Sequence, residues 1–245
     1  MKALFLALQE QGTHRWSPVA RVIKEQGHYR LSYTRGALDV DGFKGFGRMG
    51  ELGREYVSDA LFPLLQNRVL PRSRPEYKHY LEWLGLSEVA HDELEELSRT
   101  GGVRATDSIE LIPCPEPTPE NFYEAYFFVR GIRHFPSEVE ARVSQLRAGD
   151  RLFLIKDVQN AHDQCALLLR TAEPISLIGY APRYYSEDFS ELASGENVSK
   201  VEVVVERINM DAPLPYRVLC RIRAPWPSLF SACGSEKFEL LSSSV

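Results

Sequence analysis

The sequence predicts an α+β chain: a mixed strand-and-helix N-terminal domain, then a small SH3-like or OB-like β-barrel with two short helices. Three observations carry this. Short runs of apolar residues recur through the C-terminal half as strands do. Two stretches of the N-terminal half read as helices instead, the first with apolar side chains at helical spacing. Between the halves, Pro113, Pro115, Pro117 and Pro119 interrupt the chain, and such a stretch marks a domain boundary. The predicted division is therefore a domain over 1–112, a linker over 113–122, a barrel over 123–230 and a tail over 231–245.

In the first half, Leu4, Leu6 and Leu8 alternate with other residues, and 16–23 forms a second strand-like run. A third, 28–33, alternates at period two after a turn at Gly27. Residues 36–58 are rich in Gly and Asp and read as loop. An apolar run over 61–70 ends at Pro71. Ser73, with Glu76 three residues on, is a capping signal for a helix through Tyr77, Tyr80, Leu81 and Leu84, ending at Gly85. A second helix is predicted over 87–100, closed by Gly101 and Gly102, and a short strand over 108–112.

In the second half, strands are predicted over 123–132, 152–158, 165–171, 175–180, 201–208 and 216–222. Helices are predicted over 136–146 and 186–193. Many short strands with two small helices suit a closed or nearly closed barrel.

With 245 residues, 44% of them hydrophobic, the chain can bury a core. A net charge of −5 and a pI near 5.8 argue against a broad nucleic-acid-coating surface but leave room for a local basic groove. The apolar start is too short for a signal peptide, and no apolar run reaches the ~18 residues of a membrane span. A cytoplasmic protein with no membrane partner is expected. Cys114, Cys165, Cys220 and Cys233 form no C-x-x-C pair, so zinc is not expected. Cys165 and Cys220 lie in apolar runs and read as packed small hydrophobes.

Several kinds of chemistry find no support. Gly42, Gly45, Gly47 and Gly50 invite a phosphate-loop reading, but no Gly-Lys-Ser/Thr follows. No nucleophile elbow, zinc-protease motif or kinase catalytic motif occurs. Asp150 and Lys156 lack the second carboxylate of a metal nuclease. His14, His28, His79 and His91 are dispersed. No cofactor and no catalytic residue is expected.

What remains is a set of polar and aromatic clusters at the ends of apolar runs. Arg133, His134 and Phe135 follow the first strand of the barrel. A cation beside flat side chains suits a phosphate next to a stacked base; a surface Arg with a core Phe is the plainer alternative. Asn160 and Asp163 lie in the loop between two strands. They read as turn-capping residues, or as a carboxylate aimed at a ligand hydroxyl with Asn160 holding it. Tyr180 and Arg183, after Gly179, supply one more ring and one more guanidinium.

The run VRGIRHF, GDRLFLIKDVQNAHDQCALLL and IGYAPR resembles the HIRAN domain, over roughly residues 124–224. That family implies an OB-like barrel capturing the 3′ end of single-stranded DNA, with an aromatic pair for the terminal bases and an Asp for the free 3′-hydroxyl. By motif position Arg133, His134 and Phe135 match its Arg-aromatic-aromatic cluster, and Asn160 and Asp163 match its Asn-x-x-Asp loop. Tyr180 stands where the family has His, and Arg183 matches a phosphate-contacting basic residue. His134 and Phe135 replace what is typically a Tyr pair. Stacking survives these changes, whereas the hydroxyl hydrogen bonds of a Tyr pair do not.

The N-terminal half is similar, more distantly, to the N-terminal subdomain of HipA-type kinases. The matching residues are Leu31 and Tyr33, the segment 62–71 and the segment 101–112. The resemblance implies a scaffold domain without catalytic residues. Together the two halves predict a non-catalytic module that captures 3′ ends of single-stranded DNA and docks a helicase, nuclease or HipA-like kinase, in DNA repair or genome defence. The alternative is a protein-interaction component of a HipA-like kinase system.

Overall fold

A computed structural model describes residues 3–10, 16–89, 91–104, 106–161 and 163–242. His14 and His162 lie outside them. The chain is α+β, with two antiparallel sheets and few helices. It divides into two compact units. One comprises residues 1–77, 91–116 and 231–245, and the other residues 78–90 and 117–230.

The first unit is built on a five-stranded sheet in the order β4-β3-β2-β1-β5. Its strands are β1 (Ala3–Gln9), β2 (Trp16–Glu25), β3 (His28–Tyr33), β4 (Tyr56–Ser58) and β5 (Ile109–Cys114). Leu4, Leu6, Val22, Leu31 and Tyr33 pack from it onto Leu65 of α1 (Pro63–Gln66) and onto Leu94 and Leu97 of α3 (Glu93–Thr100). Arg68, its side chain fully buried, is held by Asp107 at 2.6 Å and by the Gly102 carbonyl at 2.6 Å. The tail joins this unit. Leu240 bridges Thr34, and Phe238 packs edge-on against Phe5 at 4.8 Å.

Three sequence expectations shift here. The Pro-rich break does not begin at 113, because Pro113 and Cys114 complete β5, paired with Leu4 and Ala3. β5 is an edge strand, where a Pro lacking its N–H is tolerated. The helix expected from Ser73 begins instead at Tyr77, as α2 (Tyr77–Leu84). Pro75 disfavours helical geometry at Arg74, and the chain turns through Arg74 N to Pro71 O and Tyr77 N to Arg74 O, 3.0 Å each. The helix expected over 87–100 is confined to α3, because Asp92 caps it: its side chain accepts from Glu95 N at 2.9 Å.

The second unit is a six-stranded curled sheet in the order β6-β11-β10-β7-β8-β9. Its strands are β6 (Phe122–Phe128), β7 (Arg151–Lys156), β8 (Leu167–Thr171), β9 (Leu177–Tyr180), β10 (Glu202–Ile208) and β11 (Val218–Pro225). α4 (Ser137–Gln145) and α5 (Ser186–Leu192) belong to it, as does all of α2 but Tyr77. Alternation sorts the residues. Leu152, Leu167, Leu169 and Ile178 are buried, while Arg151, Phe153, Ile155, Leu168 and Arg170 face outward. Tyr185 stacks on Phe189 at 4.9 Å, and Phe189 meets Phe127 at 5.4 Å. Leu84 of α2 packs with Phe128 and Leu219. Cys220 is fully buried, whereas Cys165, just before β8, is half-buried and not part of the core.

Candidate nucleic-acid interface

The edges of the curled sheet meet at one place. Arg130, just after β6, and Tyr180, at the end of β9, exchange both backbone hydrogen bonds at 2.8 Å. Glycine makes this approach feasible. At Gly179, with φ +146°, a Cβ would lie 2.5 Å from Val129 Cγ1 and 2.6 Å from the Arg130 carbonyl oxygen. Gly131, with φ +72°, then turns the chain into a single 3-10 turn over 132–134. That turn carries Arg133 and His134 and leads to Phe135, whose ring lies beside Tyr180.

The loop between β7 and β8 folds around its own carboxylates and amide. Asn160 Oδ1 accepts from Asp163 N at 2.9 Å, and Asn160 Nδ2 donates to Asp157 Oδ2 at 3.2 Å. Asp163 Oδ1 accepts from Cys165 N at 2.9 Å, and its Oδ2 accepts from Ser186 Oγ at 3.1 Å. Turn chemistry and a positioned carboxylate are thus one arrangement. The bonds that close the loop also fix Asp163, whose side chain keeps 17% of its surface exposed.

Around this carboxylate stand rings and cations. Phe135 and Tyr180 lie 5.9 Å apart at 51°. The Tyr180 hydroxyl donates to Asp157 Oδ2 at 2.9 Å. Burial, then the bond to and charge of Asp157, hold its pKa above the ordinary tyrosine value. Tyr180 is therefore a neutral donor locked onto Asp157. Arg183 Nε sits 3.9 Å from Asp163 Oδ2. Arg133 Nε donates to the His134 ring at 3.2 Å, and both residues are exposed.

Residues 122–226 match the family model of the HIRAN domain. The C-terminal unit carries a HIRAN domain. A protein from Lactobacillus plantarum aligns at 16% identity and a TM-score of 0.34, over 42% of this chain and 96% of its own. The HIRAN domain of human HLTF aligns at 11% identity and a TM-score of 0.29, over 42% of this chain and 74% of its own. No curated protein matches. The family match covers none of residues 1–121.

Phe135, Asn160, Asp163, Tyr180 and Arg183 of the HIRAN domain are linked by the contacts above, with Arg133 and His134 attached through Phe135. Sequence reasoning missed three participants. Asp157 anchors Tyr180 and Asn160, Ser186 holds Asp163 from the start of α5, and Arg130 forms the seam. A Ser two residues after an Arg-Tyr pair carries no signal. Asp157, six residues before Asp163, could have been found as an acidic partner for a ring hydroxyl. Among the described residues, no three His, Cys, Asp or Glu side chains gather as a metal site, and no helix is long and apolar enough to cross a membrane.

Proposed function

We propose that the HIRAN domain of this chain holds the 3′ end of single-stranded DNA. HIRAN domains are nucleic-acid-binding modules rather than catalysts, and what carries the finer reading is the placement of Asp163. A carboxylate fixed by Cys165 N and Ser186 Oγ beside the Phe135–Tyr180 pair accepts a hydrogen bond from a terminal hydroxyl. The same carboxylate repels a terminal phosphate. Two unit charges 4 Å apart at an effective dielectric of 20 interact by about 4 kcal/mol, enough for a strong end preference. His134, Phe135 and Tyr180 stack the last bases, each contact contributing about 1–3 kcal/mol without reading sequence. Arg133 and Arg183 take phosphates in a salt-dependent way.

The N-terminal unit, in this proposal, docks a protein partner: a helicase, nuclease or HipA-like kinase acting in DNA repair or genome defence. Its test is co-purification that survives nuclease treatment.

The DNA reading is tested by fluorescence anisotropy with an Asp163→Ala variant. Binding to 3′-hydroxyl oligonucleotides should weaken by about 10-fold or more, the loss of a hydrogen bond to a charged group, and the preference over 3′-phosphate ends should vanish. A variant that keeps the wild-type preference refutes the assignment of Asp163.

A further inference from the structure

We propose that the DNA leaving this pocket in the 5′ direction lies on the outer face of β7, β8 and β9, where Arg151, Phe153 and Arg170 form a second nucleotide-binding patch. This rests on the reading of the pocket as a 3′-end site. Strand register supplies the continuity. Leu168 pairs with both Ile155 and Tyr180, so these three form one outward row that ends in the pocket ring. The next row is Phe153, Arg170 and Leu177, two residues further along β8 and so about 7 Å away.

The patch is basic and aromatic, with Arg151 exposed and Phe153 and Arg170 half-buried. The Arg170 guanidinium lies 4.6 Å from the Phe153 ring centroid and that of Arg151 5.3 Å. Ile155 and Leu177, each 37% exposed, border the ring. Among the described residues, neither Arg151 nor Arg170 has a carboxylate within ion-pair distance, while Arg221 on β11 has two, Glu124 and Glu206, at 3.4 Å each. A guanidinium laid on a ring keeps its N–H edge for a phosphate and its plane for a base. Two unopposed cations one row from the pocket complement a polyanion. The strand held by its 3′ end can continue only in the 5′ direction.

The full chain is titrated with 3′-hydroxyl oligonucleotides of about three and about ten nucleotides, against Arg151→Gln/Arg170→Gln and Phe153→Leu. In the wild type the longer oligonucleotide should bind about 10-fold tighter. The double Arg variant should erase most of that advantage, leave the short oligonucleotide unchanged and lower the salt slope by about 1.4, the share of two single-strand phosphates. Arg151→Lys/Arg170→Lys should keep the slope and lose part of the stacking, which separates charge from misfolding. A double Gln variant with full length advantage and unchanged slope overturns the patch, while Asp163→Ala still tests the pocket. If no oligonucleotide of either length binds the wild type, the pocket reading falls and the patch with it.

Discussion

Arg130 and Tyr180 exchange paired backbone hydrogen bonds at 2.8 Å and join the two edges of the curled sheet. The seam does more than close a barrel. It sets the Tyr180 ring beside Phe135 and precedes the turn that carries Arg133 and His134. Architecture and the proposed binding surface therefore depend on the same few backbone atoms.

Gly179→Ala tests that dependence. The added methyl would clash with Val129 and the Arg130 carbonyl, at a backbone conformation L-residues avoid. The expected loss is about 3 kcal/mol of stability, read by urea denaturation. Hydrogen exchange should show the Arg130 and Tyr180 amides losing protection first.

Tyr180→Phe and Tyr180→Ala separate two roles of one side chain. The Phe variant loses the hydroxyl's hydrogen bonds to Asp157 and Asn160, of which the one to the charged carboxylate is worth about 1.5–3 kcal/mol, and keeps a ring to stack. The Ala variant loses the ring, which should weaken DNA binding by about 1–3 kcal/mol, or about 5-fold to 150-fold. Isothermal titration of both variants with one oligonucleotide measures the difference.

Arg183→Ala removes a proposed phosphate contact together with the cation 3.9 Å from the Asp163 carboxylate. Affinity should fall for every end chemistry, and the salt slope should flatten by about 0.7, the share of one single-strand phosphate. Anisotropy over a salt series gives the slope.

A pH effect on stability is expected from His79 of α2, which pairs with Asp211 between β10 and β11. Hydrogen bonds to Asp211 and then Glu82 raise the His79 pKa above its ordinary 6.5. A raised folded-state pKa means stability fully present below 6.5 and lost as pH rises through the higher folded value. The bond to His79 lowers the Asp211 pKa below 3.8, so that group's contribution is present above 3.8 and fades as pH falls through its depressed value. His79→Gln should flatten the neutral-to-alkaline decline in the urea midpoint.

The parts of this fold that were legible in the sequence are those decided by near neighbours. Period-two alternation located β1 and β3, short apolar runs located β7 and β10, and the i, i+3, i+4, i+7 stripe of Tyr77, Tyr80, Leu81 and Leu84 located α2. Helix starts were harder: Ser73 reads as a cap, yet the turn before Pro75 delays α2 to Tyr77, and the helix expected over 87–100 starts only after Asp92. Asn160 and Asp163 stood out because their loop chemistry is local. Asp157 did not, since its meaning depends on Tyr180, 23 residues away. The seam was likewise hidden. Gly179 reads as one more residue of a strand until the carbonyl of Arg130 is placed against it.

End discrimination by the wild-type chain tests the central claim most directly. Equilibrium anisotropy with one oligonucleotide sequence, carrying a 3′-hydroxyl, a 3′-phosphate or a blocked 3′ end, is the measurement. The hydroxyl end should bind at least 10-fold tighter than the phosphate end. Equal affinity for all three ends would contradict the account.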